Sequence, residues 1–93
     1  MPLSKPAAIR AVRGSVSIYR AGNSWIVIGP AGLPHYTQSR KRAERHASRL
    51  KAAHALILMG HGAGPARAAA WIAEPYRNST RAVIDAALDI LGP

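Results

Sequence analysis

The sequence predicts an α+β fold: an N-terminal three-stranded antiparallel sheet packed by one long helix, followed by two short C-terminal helices. Three observations carry that expectation. Two short β-branched runs flank Ala21-Gly22-Asn23, a tripeptide suited to a hairpin turn. Residues 39–59 hold an apolar stripe at helical spacing. Residues 60–65 are a glycine-rich break, after which two further stretches place small and aliphatic residues on one helical face. Ninety-three residues make one small domain. Within it we expect an arm over 1–14, the sheet and long basic helix over 15–59, the break over 60–65 and a helical part over 66–93.

Taken in order, Met1, Pro2, Lys5 and Pro6 read as a loose start, and residues 7–13 as either a short helical turn or an extended lead-in. Residues 15–20 alternate, with Val16 and Ile18 on one face and Ser17 and Tyr19 on the other. Ser24-Trp25-Ile26-Val27-Ile28 is apolar on both faces, which marks a central strand. A third strand over residues 33–38 contains Pro34, tolerated at a sheet edge. Ser39 is placed to cap the long helix. In that helix Ala43, Ala47, Leu50, His54 and Ile57 fall along one side and Arg42, Arg45 and Arg49 along another. Residues 54–59 also admit a strand reading, but the stripe keeps its helical spacing through Ile57. Gly60 is expected to end the helix with positive φ, and Pro65 to open the next at its first position. That helix covers residues 66–74 and ends at Pro75. Asn78, Ser79 and Thr80 offer caps for a last helix through Leu91, with Val83, Ile84, Ala87, Leu88 and Leu91 inward.

Charge is the functional signal. The chain carries 13 Lys and Arg against 4 Asp and Glu, a net charge of +9, and ten of the thirteen are Arg. Residues 1–59 hold ten basic residues and one acid, Glu44, whereas residues 60–93 hold three of each and are neutral. A basic face is therefore expected rather than a uniformly basic surface, and guanidinium groups suit bidentate phosphate or carboxylate contacts. The candidate binding residues are Arg40, Lys41, Arg42, Arg45, Arg49 and Lys51 on the long helix, with Arg20 on the first strand. Arg10 and Arg13 would extend the patch if the sheet edge lay beside the helix.

Other chemistries have little support. Cysteine is absent, which excludes disulfides, thiolate metal sites and cysteine nucleophiles. His35, His46, His54 and His61 form no i,i+4 pair and no HExxH, so no metal is expected; His54 reads as a hydrogen-bonded core residue or a partner contact. Gly60-His61-Gly62-Ala63-Gly64 lacks the Lys and Ser/Thr of a phosphate-binding loop, so a hinge is expected and no cofactor. No nucleophile elbow occurs, and an enzyme is not expected. Tyr19, Trp25 and Tyr36 would stack bases if exposed, although Trp25 is most simply buried. Lys5, Pro6 and Arg10 interrupt the start before an apolar signal core can form, and no apolar run is long enough to span a bilayer. A cytoplasmic location is the expectation.

The layout of three short strands and a long helix over residues 15–59 is similar in outline to the arm-binding domains of tyrosine recombinases and to some double-stranded RNA binders. The sequence thus points to a small basic nucleic-acid-binding protein, DNA- or RNA-binding through phosphates with limited sequence specificity. The alternative is a phage- or plasmid-type accessory or inhibitor protein that docks on an acidic host protein surface. In that case Trp71 and Tyr76 would supply apolar partner contacts. With no Phe and many alanines, the core promises modest stability, which a homodimer or bound partner would raise.

Overall fold

A computed structural model of the chain describes residues 1–74 and 79–92. It is a mixed α+β fold: a three-stranded antiparallel sheet, one long helix and two further C-terminal helices, with a short helix ahead of the sheet. That first helix, α1 (Lys5–Ala11), takes the helical of the two readings for residues 7–13 and begins earlier, at Lys5 within the expected loose start. Ser4 caps it by accepting from the Ala7 N–H, Ala8 and Val12 are buried, and the Leu3 N–H donates to the Leu58 carbonyl at 2.8 Å. The start of the chain is thus docked rather than loose, because its two buried side chains fill part of the main core.

Strands β1 (Ser17–Ala21), β2 (Ser24–Ile28) and β3 (Pro34–Thr37) lie in that order, so β2 is central and both other strands have a free edge. Gly22 takes φ of 60° at the first position of the two-residue β1–β2 loop, while Asn23 keeps negative φ, the pattern of a type II′ turn. The register pairs Ile18, Val27 and His35 across the sheet, and likewise Tyr19, Ile26 and Tyr36. Val27 packs on Ala43 and Ala47, so its row faces the long helix and the Tyr19 row faces away.

The long helix α2 (Arg40–Leu58) is continuous, which removes the strand reading of residues 54–59. Ser39 caps it by accepting from the Arg42 N–H at 3.1 Å. At its end Gly60 has φ of 105°; the Gly60 N–H donates to the Ile57 carbonyl and the His61 N–H to the Leu56 carbonyl, each at 3.0 Å, as in a Schellman ending. Helix α3 (Ala63–Ala73) starts earlier than expected, with Gly62 as its cap and Pro65 at the third position. A proline there costs no hydrogen bond, because the first-turn N–H groups have no intrahelical partner. Helix α4 (Thr80–Leu91) is capped by Ser79 and buries Val83, Ile84 and Ala87.

The core is split. Along α2, Ala43, Ala47 and Leu50 pack against the sheet, whereas Ala52, Ala55 and Leu56 pack against α1, α3 and α4. At 100° per residue these two directions lie roughly 170° apart, so the halves of α2 bury opposite sides. A single stripe from Ala43 to Ile57 is therefore only half of the buried surface. Among the described residues eleven of the seventeen buried apolar residues are alanine, which lets the helices approach closely but removes less area from water than Leu or Ile would. None of the helices among the described residues is long and apolar enough to cross a membrane.

Candidate functional site

Arg42, Arg45 and Arg49 lie at helical spacing on the side of α2 that its N-terminal half leaves uncovered. They share an open groove of about 440 Å³ with His35, Tyr36, Thr37 and Gln38 from β3 and its exit, and with His46 and Glu74. The strand supplies the groove because His35 projects toward α2 and stacks on His46, ring centres 3.8 Å apart. Sequence names Tyr36 only as a base-stacking candidate and does not single out His35, Thr37, Gln38 and His46 as binding residues. The signal for them is the alternation of β3, which turns His35 and Thr37 toward the helix once the register is known.

Within the groove the arginines differ. Arg42 and Arg45 are exposed and have no acidic partner among the described residues. Arg49 is largely withdrawn from water, with 14% of its side chain exposed. Its guanidinium lies 3.5 Å from the centre of the Trp71 ring, 4.0 Å from the Glu74 carboxylate, and donates to His46 Nδ1. Arg49 was expected on the solvent row. It is drawn inward because the arginine side of α2 runs directly into the side covered by α3. Burial pushes the Arg49 guanidinium below its ordinary value, with Glu74 opposing. His46 is lowered from 6.5 to about 4, first by burial, then by Arg49 and His35. At neutral pH His46 is thus uncharged, with Nδ1 accepting from Arg49.

The remaining predicted residues stand outside the groove. Arg40 donates to Glu44 at 3.0 Å and lies 5.8 Å from the Trp25 ring centre, so it is held on the other side of the helix. Arg20 is the cross-strand partner of Trp25 on β1, the far edge from β3, and donates to the Gly22 carbonyl at 3.1 Å. Lys41 is exposed in the first turn of α2, and Lys51 is half-buried farther along. Arg10 and Arg13 do not extend the patch; they line a separate depression with Lys5, Ile9 and Arg81 at α1 and α4, where Lys5 also pairs with Asp85. Trp71 is 62% exposed beside the groove, and Tyr76 lies outside the described residues. His54 departs from the hydrogen-bonded expectation: its Nδ1 is buried without a partner among the described residues. Leu50, Ala53 and Ile57 line the same cavity beside it, and the polar groups there, on His35, His46 and Arg67, do not hydrogen-bond that nitrogen.

Compared with known protein families, curated proteins and solved structures, the chain matches none. What the groove does must follow from its own chemistry. Among the described residues two guanidiniums without acidic partners, the largely buried Arg49 and the Thr37 and Gln38 side chains offer hydrogen-bond donors to an anion, and of the groove's lining residues only Glu74 is acidic.

Proposed function

We propose that the chain is a small nucleic-acid-binding protein that holds phosphates in the groove between β3 and α2, with limited sequence specificity and without catalysis. The observation that carries this reading is Arg42 and Arg45 standing exposed in one groove, without acidic partners among the described residues. Three cations in the first turn of α2, with no acid there, oppose the helix dipole, and an anion seated nearby relieves that repulsion. The absence of cysteine is in keeping with action in a reducing cytoplasm. Titration of labelled DNA and RNA at increasing salt tests the proposal: binding should weaken along a log–log line, by about 0.7 per phosphate on single strands and about 0.9 on duplex. Binding that ignores salt, or its absence at low salt, refutes it.

One observation favours a second reading, an accessory or inhibitor protein docking on an acidic protein surface. Trp71 and Ile72 are adjacent and each more than 60% exposed, next to Arg49. An apolar anchor beside arginines suits a carboxylate-rich partner. Stoichiometric capture of one protein after nuclease treatment, lost in Trp71→Ala, would favour this reading over the first.

A further inference from the structure

The outer face of the sheet carries a row that the phosphate groove leaves unexplained. Tyr19, Ile26 and Tyr36 are in register across all three strands, on the face turned away from α2. Tyr19 is 46% exposed and Tyr36 64% exposed, whereas Ile26 between them is 8% exposed. Among the described residues α2 is the helix packed on the sheet, on its Val27 face, and on the opposite face the exposed Tyr19 and Tyr36 flank the buried Ile26. Two phenol rings are therefore presented about 10 Å apart, from two strand spacings, on a rigid three-stranded support. Trp25 is not part of this platform, since it packs toward α2.

From this placement, and resting on the phosphate reading above, we propose that the ligand is single-stranded nucleic acid, with bases stacked on Tyr19 and Tyr36 and the backbone crossing the free β3 edge into the Arg42–Arg45 groove. The two surfaces are continuous, because Tyr36 belongs to the outer row and also lines the groove. Charge complementarity sets the polarity of the arrangement: cations lie at the groove, and no acidic residue occurs in any of the three strands. Stacking needs base faces that a duplex keeps closed, so the platform discriminates single strands from duplex without reading sequence.

The test uses the full chain and three probes of equal length: single-stranded DNA, its duplex, and an abasic strand that keeps phosphates but lacks bases. The single strand should bind most tightly. Tyr19→Ala and Tyr36→Ala should each weaken it by roughly 5- to 150-fold, with no change on the abasic strand. Tyr19→Phe and Tyr36→Phe should bind as wild type, which separates stacking from any loss of fold. Equal affinity for abasic and normal strands, preference for duplex, or unaltered binding by both Ala variants overturns the stacking proposal while leaving phosphate binding intact. Failure of all three probes to bind at low salt overturns both.

Discussion

Removing the two open groove arginines is the most informative perturbation. In Arg42→Gln/Arg45→Gln the side-chain stems remain while two guanidiniums are lost. The groove holds three arginines, so about three phosphates are neutralised, and the expected log–log salt slope on a single strand is about −2.1. Affinity should then fall about 18-fold between about 50 and 200 mM salt. With Arg49 alone left, the slope should shrink to about −0.7 and the same change should cost only about 3-fold. Fluorescence anisotropy of a labelled oligonucleotide over a salt series reads both quantities. The control is Arg10→Gln/Arg13→Gln, which lowers the net charge of +9 equally but acts at the separate α1 depression. Its slope should stay near that of the wild type. An unchanged slope in the groove variant, or an equal loss in the control, would show that net charge rather than this groove governs binding.

The pH dependence of stability should carry the mark of His46. Its folded value, near 4, lies below the ordinary 6.5, so the unfolded chain takes up a proton first and stability falls as pH drops from about 6.5 toward 4. The full shift would be worth about 3 kcal/mol, which the partial exposure of the ring reduces to about 1–1.5 kcal/mol. Urea unfolding of wild type and His46→Gln at several pH values measures this, and parallel profiles would refute it. Gly60→Ala places a side chain at φ of 105° with its Cβ 3.4 Å from Pro2, and should cost about 1–3 kcal/mol in thermal unfolding. Gly14→Ala, with open space around its Cβ, should be nearly neutral by comparison. Truncation after Gly64 strips α3 and α4 from Leu56, Ala52 and Ala55 and should cause aggregation visible by light scattering. A monomeric truncated chain with full helicity would contradict the split-core account.

Much of this architecture is written in local chemistry. The hairpin follows from Gly22 between two β-branched runs, and the centrality of β2 from its two apolar faces. Ser39, Ser79 and Gly60 mark helix ends because each satisfies backbone groups within a few residues of itself. The arginine row of α2 was legible for the same reason, since helical spacing alone places Arg42, Arg45 and Arg49 together. Which neighbour each face meets is a different matter, because it depends on residues distant in the chain. Alanine dominates the core, and its weak hydrophobic signal left the burial of α1 and of Ala52 and Ala55 unmarked, whereas Leu56 and Met59 on the arginine side of α2 already called for cover by the C-terminal helices. Only the tertiary arrangement set Trp71 and Glu74 of the α3 end against Arg49, brought His35 onto His46, and left His54 Nδ1 without a partner among the described residues. Period and capping are short-range properties that one segment can encode by itself. Pairing a charge, closing a groove and uncovering a sheet face require two segments to meet, and their meeting is decided by how α2 buries opposite sides along its length.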